Sequence, residues 1–152
     1  MRKISIFLMP FFMFFGLTIS SHAEFIDIGD GMIYDTEFDI IWLQNAFHSY
    51  TSGYDEDGFM TWYEAMEWAE TLSYGGYDDW RLPSFDPNCP RCANHEMGNL
   101  YITEFAGIDP LSYAGPFINV FPALPGGIYG QWYWSGTESD LNHAWRYSLE
   151  CG

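Results

Sequence analysis

Basic residues are scarce in this sequence. Its 152 residues include five Lys and Arg against 21 Asp and Glu, and the formal net charge is −16. A chain this acidic repels phosphate backbones, so nucleic-acid binding is excluded as a function. The sequence also has no internal repeat and no low-complexity linker, and its length suits one domain. Its 7 Trp, 11 Tyr and 13 Phe exclude an intrinsically disordered chain.

Sequence motifs of common enzyme classes are missing as well. There is no G-x-S-x-G nucleophile motif, no P-loop and no dinucleotide-binding fingerprint. The chain has four His in all, and its carboxylates are too numerous to single out an acid–base pair. We therefore predict a protein without catalytic activity.

Cysteine is scarce, with three in the chain. Cys89, Cys92 and His95 could supply three zinc ligands, but a closed site needs a fourth, and no second C-x-x-C exists. Haem attachment requires His directly after the second Cys, where Ala93 stands. A local disulfide between Cys89 and Cys92 is therefore the favoured interpretation. Pairing of one of them with Cys151 is the alternative, and the odd number leaves one thiol free or available for an intermolecular bond.

Residues 1–23 are predicted to be a secretory signal peptide. A short basic start precedes a nearly uninterrupted apolar run over 4–17, and Ser21 and Ala23 are the small residues before the cleavage site. The run is shorter than the roughly 20 residues that span a bilayer, although an uncleaved anchor is the alternative. We expect export to the periplasm, the cell surface or the medium. The mature single domain, residues 24–152, keeps three Arg, no Lys and all 21 acids, a net charge of −18, and has no further run of spanning length.

Three strands and a helix are predicted in the first half of the mature chain. We predict strands at residues 25–28, 32–36 and 39–43, because each run is rich in strand-forming residues and the first two are separated by turn-forming residues at 29–31. Residues 51–58 are predicted to form a polar loop. Residues 61–74 read as a helix, because Thr61 and Glu64 form a capping box and Gly75 and Gly76 supply a stop.

The second half predicts a further helix and a hairpin. Apolar side chains recur at helical spacing over 94–105, although Gly98 weakens the helix. Residues 107–130 are rich in Gly and Pro and are predicted to be irregular. Aromatic strands at 131–135 and 143–149 are connected through 138–142. Strands, then helices, then strands indicate an α+β domain.

A series of short motifs, in order, extends over almost the whole mature chain. They are D-G-x-x-x-D-x at 30–36 followed by Trp42, x-W-x-x-A with Trp62, D-W-R-L-P at 79–83 with Trp80, Arg81 and Pro83, H-E-M-G-N-L-Y at 95–101, Y-W-S-G-T-E at 133–138 with Trp134 and Ser135, and A-W ending at Trp145. This series resembles the Lcl C-terminal domain family over nearly all of residues 30–147. We call the residues named singly in this series the structural signature, because the resemblance implies that they maintain the fold.

The resemblance implies a C-type-lectin-like fold: small antiparallel sheets with two helices and a long irregular loop region. It also implies a secreted or surface-attached bacterial protein, since the name-giving members are adhesins whose terminal domain is linked to glycosaminoglycan binding. Related branches of the superfamily include formylglycine-generating enzymes, so the fold alone does not determine the function.

Two features depart from the family pattern. Members usually continue past the A-W strand with a G-[YF]-Q-like turn and strand, whereas this sequence stops at residues 150–152, which predicts a domain truncated at its C-terminal end. A glycosaminoglycan is polyanionic, and a mature charge of −18 argues against such a ligand unless cations bridge the charges.

Candidate ligand-binding residues lie on the aromatic strands and in the irregular region. Trp132 and Trp134 share one strand face and could stack on a sugar ring, with core packing as the alternative; Tyr129 and Asn119 are candidates in the loop. Arg81 could be a ligand-binding cation, but an internal partner to carboxylates such as Asp78 or Asp79 is the favoured interpretation.

Calcium is the one metal that the acidic loops suggest. Asp55 and Asp57 precede a glycine, and Asp30 and Asp35 belong to a second acidic cluster. Hard oxygen ligands in loops suit calcium, but the twelve-residue spacing of a calcium loop and the calcium–sugar motifs of lectins are absent. A solvated acidic surface is the alternative.

The functional prediction is an exported, non-catalytic binding module that recognises a surface glycan or a protein ligand, with calcium as a possible structural ion. The alternatives are an enzyme of the formylglycine-generating type, which would depend on Cys89 and Cys92, and a purely structural envelope component.

Overall fold

The computed structural model describes residues 24–108, 113, 115–120, 132–141 and 143–149. The predicted signal peptide, Tyr129 and Cys151 lie outside the described residues, as does most of the predicted irregular region. Within the described part of the chain, no helix is both long and apolar enough to cross a membrane.

The described chain begins with a three-stranded antiparallel sheet. Its strands, in spatial order, are β1 (Phe25–Gly29), β2 (Met32–Asp35) and β3 (Ile40–Leu43). All three lie where the sequence predicts them. The β1–β2 turn holds Gly29, Asp30 and Gly31 at positive φ, which favours glycine. A Cβ on Gly31 would lie 2.2 Å from the Tyr74 hydroxyl oxygen, so glycine also lets that side chain pack against the turn.

Two helices follow this sheet. The four-residue α1 (His48–Thr51) is not predicted from the sequence, and α2 (Trp62–Thr71) is. The capping box of α2 is confirmed: the Thr61 side chain accepts the Glu64 N–H, and the Glu64 carboxylate accepts the Thr61 N–H at 2.7 Å.

The predicted end of α2 is corrected by the structure. The helix ends at Thr71, because Leu72 turns to an extended conformation with ψ 126°. Gly75 and Gly76 lie beyond it, in a tight turn closed by backbone hydrogen bonds between Tyr74 and Tyr77. The glycines therefore serve the turn and not the helix terminus.

The predicted helix over 94–105 is present but divided. It consists of α3 (Glu96–Leu100) followed by a π-helical turn (Tyr101–Phe105). His95 caps α3, since its Nδ1 accepts the Gly98 N–H at 3.0 Å. Its Nε2–H then donates to the Cys89 carbonyl at 3.2 Å, which joins α3 to the loop before it.

A two-stranded antiparallel sheet follows, made of β4 (Trp132–Asp140) and β5 (His143–Ser148). β4 is longer than predicted, because it continues through residues 138–140 of the segment expected to form the connection. Trp132 pairs with Ser148 and Trp134 with Arg146, and the register shifts between Trp134 and Glu138.

One hydrophobic core joins these elements. Its buried members are Phe25, Ile33, Phe85, Met97, Leu100, Phe105, Phe117, Val120, Tyr147 and Leu149. The α+β class with two small antiparallel sheets is confirmed. The described residues hold three short α-helices and a π-helical turn, so the prediction of two helices is corrected.

Candidate functional site

Arg81 of the D-W-R-L-P motif is bound to the first residue of α3. Its guanidinium donates to the two carboxylate oxygens of Glu96 at 2.9 and 2.6 Å, and the same carboxylate accepts the Ser84 N–H at 2.7 Å. Arg81 thus has an internal carboxylate partner, as the favoured interpretation expects, but that partner is Glu96 and not Asp78 or Asp79. The pairing neutralises the cation.

The Arg81–Glu96 pair makes stability depend on pH. Burial alone would raise the pKa of Glu96, but hydrogen bonds from Arg81 and Ser84 outweigh burial and hold the pKa below its ordinary value. A lowered pKa stabilises the folded protein above the unfolded-state pKa of about 4.3, and this contribution is lost as the pH falls through the folded-state pKa. We therefore expect Glu96→Gln to be less stable than the parent at pH 7, and the difference to shrink below about pH 4.

Urea unfolding between pH 3 and 7 checks this expectation, and Glu104→Gln is the matched control. Burial raises the pKa of Glu104, although a hydrogen bond from Tyr113 opposes this shift. The stability that Glu104 contributes is therefore lost as the pH rises. The stability of Glu104→Gln relative to the parent should therefore increase with rising pH, whereas that of Glu96→Gln should decrease. The same trend in both variants would contradict the assignment.

The Y-W-S-G-T-E motif joins α2 to the second sheet. The Ser135 hydroxyl donates to the Trp145 carbonyl, and the Trp62 indole N–H donates to the Ser135 carbonyl, both at 2.8 Å. The Gly136 N–H donates to the Pro83 carbonyl at 2.8 Å. These signature residues therefore hold elements together.

Asp35 ends β2 and is completely buried. Its Oδ1 accepts the N–H groups of Glu37 and Phe38 at 2.9 and 3.3 Å. Its Oδ2 accepts the Trp42 indole N–H at 3.3 Å and the Asn99 amide at 3.4 Å. This predicted calcium ligand is therefore a hydrogen-bond acceptor that joins the first sheet to α3.

An open cleft of about 540 Å³ lies between β3, α2, the 79–83 segment and the start of β4. Five of the seven tryptophans line it: Trp42, Trp68, Trp80, Trp132 and Trp134. We call this feature the aromatic cleft. Its volume falls in the range of about 300–1,000 Å³ that is usual for ligand sites.

The mouth and the interior of the aromatic cleft differ in exposure. Trp132 and Phe59 are 55% and 62% exposed, and both line the cleft, so they lie at its mouth. Trp134 is half-buried, and its indole N–H donates to the Met60 carbonyl at 2.8 Å. The Trp80 indole N–H donates to the Tyr74 carbonyl at 3.3 Å. These hydrogen bonds fix the two inner rings.

Four charged side chains line the aromatic cleft among the described residues: Asp39, Asp79, Arg81 and Glu96. Arg81 and Glu96 form the ion pair described above. The Asp39 carboxylate accepts the Tyr34 hydroxyl at 2.8 Å, a neutral donor. Asp39 and Asp79 therefore leave the wall of the cleft negative.

Arg146 covers one face of Trp132. Its guanidinium carbon lies 4.6 Å from the centroid of the indole, within the distance of a cation–π interaction. The platform predicted from Trp132 and Trp134 thus consists of an exposed ring beneath a guanidinium and a half-buried, hydrogen-bonded ring.

Asn119, the loop candidate, is bound to the side chain of Asn45. It has a positive φ of 55° and is exposed, and its side-chain amide donates to the Asn45 side chain at 3.1 Å. Asn119 is not among the described residues that line the aromatic cleft, although Asn45 is.

The candidate calcium ligands do not come together. Asp55 accepts the N–H groups of Asp57 and Gly58, and Asp57 accepts that of Phe59 at 2.9 Å, so both shape their own loop. Within the described part of the chain, no three His, Cys, Asp or Glu side chains are placed to hold a metal ion. Calcium binding stays a prediction.

The disulfide between Cys89 and Cys92 is confirmed. Two side chains bind the loop that the disulfide closes. The Tyr147 hydroxyl donates to the Pro90 carbonyl at 3.0 Å, and His95 donates to the Cys89 carbonyl. The disulfide loop is thus part of the packing around α3.

Several residues of the aromatic cleft are not predicted as site residues from the sequence. Among them are Phe59, Trp68 and Asp79. Trp68 lies three residues after Ala65 and four before Leu72, and both of these residues also line the cleft, so helical spacing is the signal that could have marked it.

Comparison with known proteins agrees with the motif series. The family model described as the Lcl C-terminal domain matches residues 31–152. The match spans most of the chain, so this protein belongs to the Lcl C-terminal domain family. No curated protein and no solved structure matches the chain.

Proposed function

We propose that this protein is an exported, non-catalytic binding module that takes a surface glycan into the aromatic cleft. The observation that carries the proposal is the placement of five of the seven tryptophans around one open cleft. Trp132 is exposed and the other four are half-buried, so their rings line the cleft while they also pack against the protein, and an open, largely aromatic cleft of this size suits a ligand.

A sugar suits such a cleft because it presents both apolar and polar surface. The C–H face of a pyranose ring stacks on an indole, and its hydroxyl groups need hydrogen-bonding partners at the edge. Trp132 and Phe59 offer stacking surfaces at the mouth. Asp39, Asn45 and Asp79 offer polar atoms on the wall. A protein ligand is the alternative occupant.

The C-type-lectin-like fold forms part of the same proposal. Support comes from the family membership, from the two small antiparallel sheets, and from signature residues such as Ser135 that connect sheet and helix. In this proposal signature residues such as Ser135 build the scaffold, and others, such as Trp80 and Trp134, line the cleft beside residues outside the signature, such as Trp132 and Phe59.

Trp132→Ala should weaken glycan binding by about tenfold or more, which corresponds to about 1.4 kcal/mol. The reason is the loss of a stacking surface at the mouth of the aromatic cleft. Intrinsic tryptophan fluorescence during titration with neutral oligosaccharides measures the change.

Trp145→Ala is the matched control for this variant. Trp145 is 40% exposed but is not among the described residues that line the cleft, and its ring lies 5.7 Å from that of Phe85. Its removal should leave the affinity within about twofold. An equal loss in both variants would show that binding does not use the cleft.

A further inference from the structure

The aromatic cleft has an electrostatic character that goes beyond its aromatic lining. Asp39 and Asp79 lie on its wall, and both residues are exposed. Among the described residues that line the cleft, Arg81 is the one cation, and it already donates to both oxygens of Glu96. A ligand that enters the cleft therefore meets two carboxylates that have no cationic partner among the described residues of its wall.

The neighbouring surface has the same sign. Helix α2 forms one wall of the cleft, and its opposite, solvent-facing side exposes Glu64, Glu67 and Glu70. The whole chain carries a net charge of −16. A cleft with low-dielectric walls concentrates such a potential, which attracts cations and repels anions.

The mouth of the cleft already holds a cation against an aromatic ring. The Arg146 guanidinium lies 4.6 Å from the centroid of Trp132. The face of an aromatic ring attracts a cation through its quadrupole, most strongly at tryptophan. The rings of the cleft are therefore chemically suited to a positively charged ligand group.

We infer that the glycan bound in the aromatic cleft carries free amino groups. The inference rests on the proposed function and names the ligand class of that same site. The sugar rings stack on Trp132 and Phe59, and ammonium groups lie against Asp39 and Asp79. Acetylation of the amine removes the charge, and a uronate brings a carboxylate against carboxylates, so both sugars should bind more weakly.

The test uses tetrasaccharides that share one ring and one linkage. The purified protein is titrated at low ionic strength with β-1,4-linked tetramers of glucosamine, glucose and N-acetylglucosamine, and tryptophan fluorescence is followed. We expect the glucosamine tetramer to bind at least tenfold more tightly than the other two. This preference should shrink as salt is added, because exposed charges are screened.

Two double variants test which carboxylates create the preference for the glucosamine tetramer. Asp39→Asn with Asp79→Asn removes the two wall charges, and asparagine keeps the positive φ of 55° at position 39 accessible. Glu67→Gln with Glu70→Gln removes two charges from the outer face of α2. The first double variant should lose the preference for glucosamine, and the second should keep most of it.

The outcomes separate this inference from the proposed function. If all three tetramers bind equally and Trp132→Ala weakens them, the cleft binds glycans and the inference of an amino sugar is overturned. If the two double variants lose the preference equally, the net charge of the chain and not the cleft wall creates it, and the inference is again overturned. If no tetramer binds, the proposed function falls together with the inference.

Discussion

Asp35→Ala should lower the free energy of unfolding by about 3–5 kcal/mol. The substitution deprives the N–H groups of Glu37 and Phe38 and the indole of Trp42 of their acceptor. A buried donor left without a partner costs about 1–3 kcal/mol, and hydrogen bonds to charged groups lie at the upper end. The loss is a large part of the 5–15 kcal/mol that stabilises a typical domain.

Urea unfolding followed by near-ultraviolet circular dichroism measures this loss. The free energy of unfolding of Asp35→Asn should lie between those of the parent and the alanine variant. The side-chain carbonyl oxygen of asparagine still accepts the two backbone N–H groups, but its NH₂ group cannot accept the Trp42 indole N–H. Asp57→Ala is the control in an exposed loop, where a loss of less than about 1 kcal/mol is expected. A loss that small for Asp35→Ala would show that the hydrogen bonds of Asp35 with Glu37, Phe38 and Trp42 contribute little to stability.

Gly98→Ala should destabilise the protein by about 1–3 kcal/mol, although alanine is the better helix former. Helix propensity alone predicts a gain of about 1 kcal/mol. The structure predicts the opposite sign, because a Cβ at position 98 would lie 2.1 Å from the Cys92 carbonyl oxygen and 2.7 Å from Nε2 of His95. Overpacking costs about 1–3 kcal/mol, and displacing the His95 cap costs about 1 kcal/mol more.

The sign of the change makes this a sharp test of the packing around α3. Thermal and urea unfolding of Gly98→Ala and the parent measure it under non-reducing conditions, so that the disulfide between Cys89 and Cys92 stays intact. Gly76→Ala is the control, since a Cβ there meets nothing within 4 Å and only its positive φ of 88° opposes the substitution. A Gly98→Ala variant more stable than the parent would mean that α3 does not pack against the disulfide loop.

Local patterns explain which elements are predictable from the sequence. The three strands of the first sheet alternate with strong turn residues, and the capping box of Thr61 and Glu64 acts within four residues. Such features depend on neighbours in the chain, so their physical causes are visible in the sequence.

The elements that the sequence does not predict depend on distant contacts. Gly98 reads as a weak point of a helix, yet the approach of the Cys92 carbonyl requires a glycine there. The partner of Arg81 is Glu96, 15 residues away, and not an aspartate next to it. No local rule distinguishes these acids, because only the folded chain brings one of them to the guanidinium.

The aromatic cleft is the least predictable feature for the same reason. Its walls come from β3, α2 and β4, which lie far apart in the sequence. Periodicity assigns each wall residue to a face of its own element, but a space between elements follows from their arrangement. Family membership predicts the signature residues, such as Ser135, whose hydrogen bonds connect helix and sheet. Those contacts position the cleft but do not specify its ligand.

The most direct test of glycan binding in the aromatic cleft is the set of indole N–H signals in a ¹⁵N–¹H correlation spectrum. The seven tryptophans give one signal each, assigned by single Trp→Phe variants. On titration with the glucosamine tetramer, the signals of Trp80, Trp132 and Trp134 should move together and saturate, while that of Trp145 stays in place. Movement confined to Trp145, or no movement at a ligand concentration that saturates binding, would contradict the account.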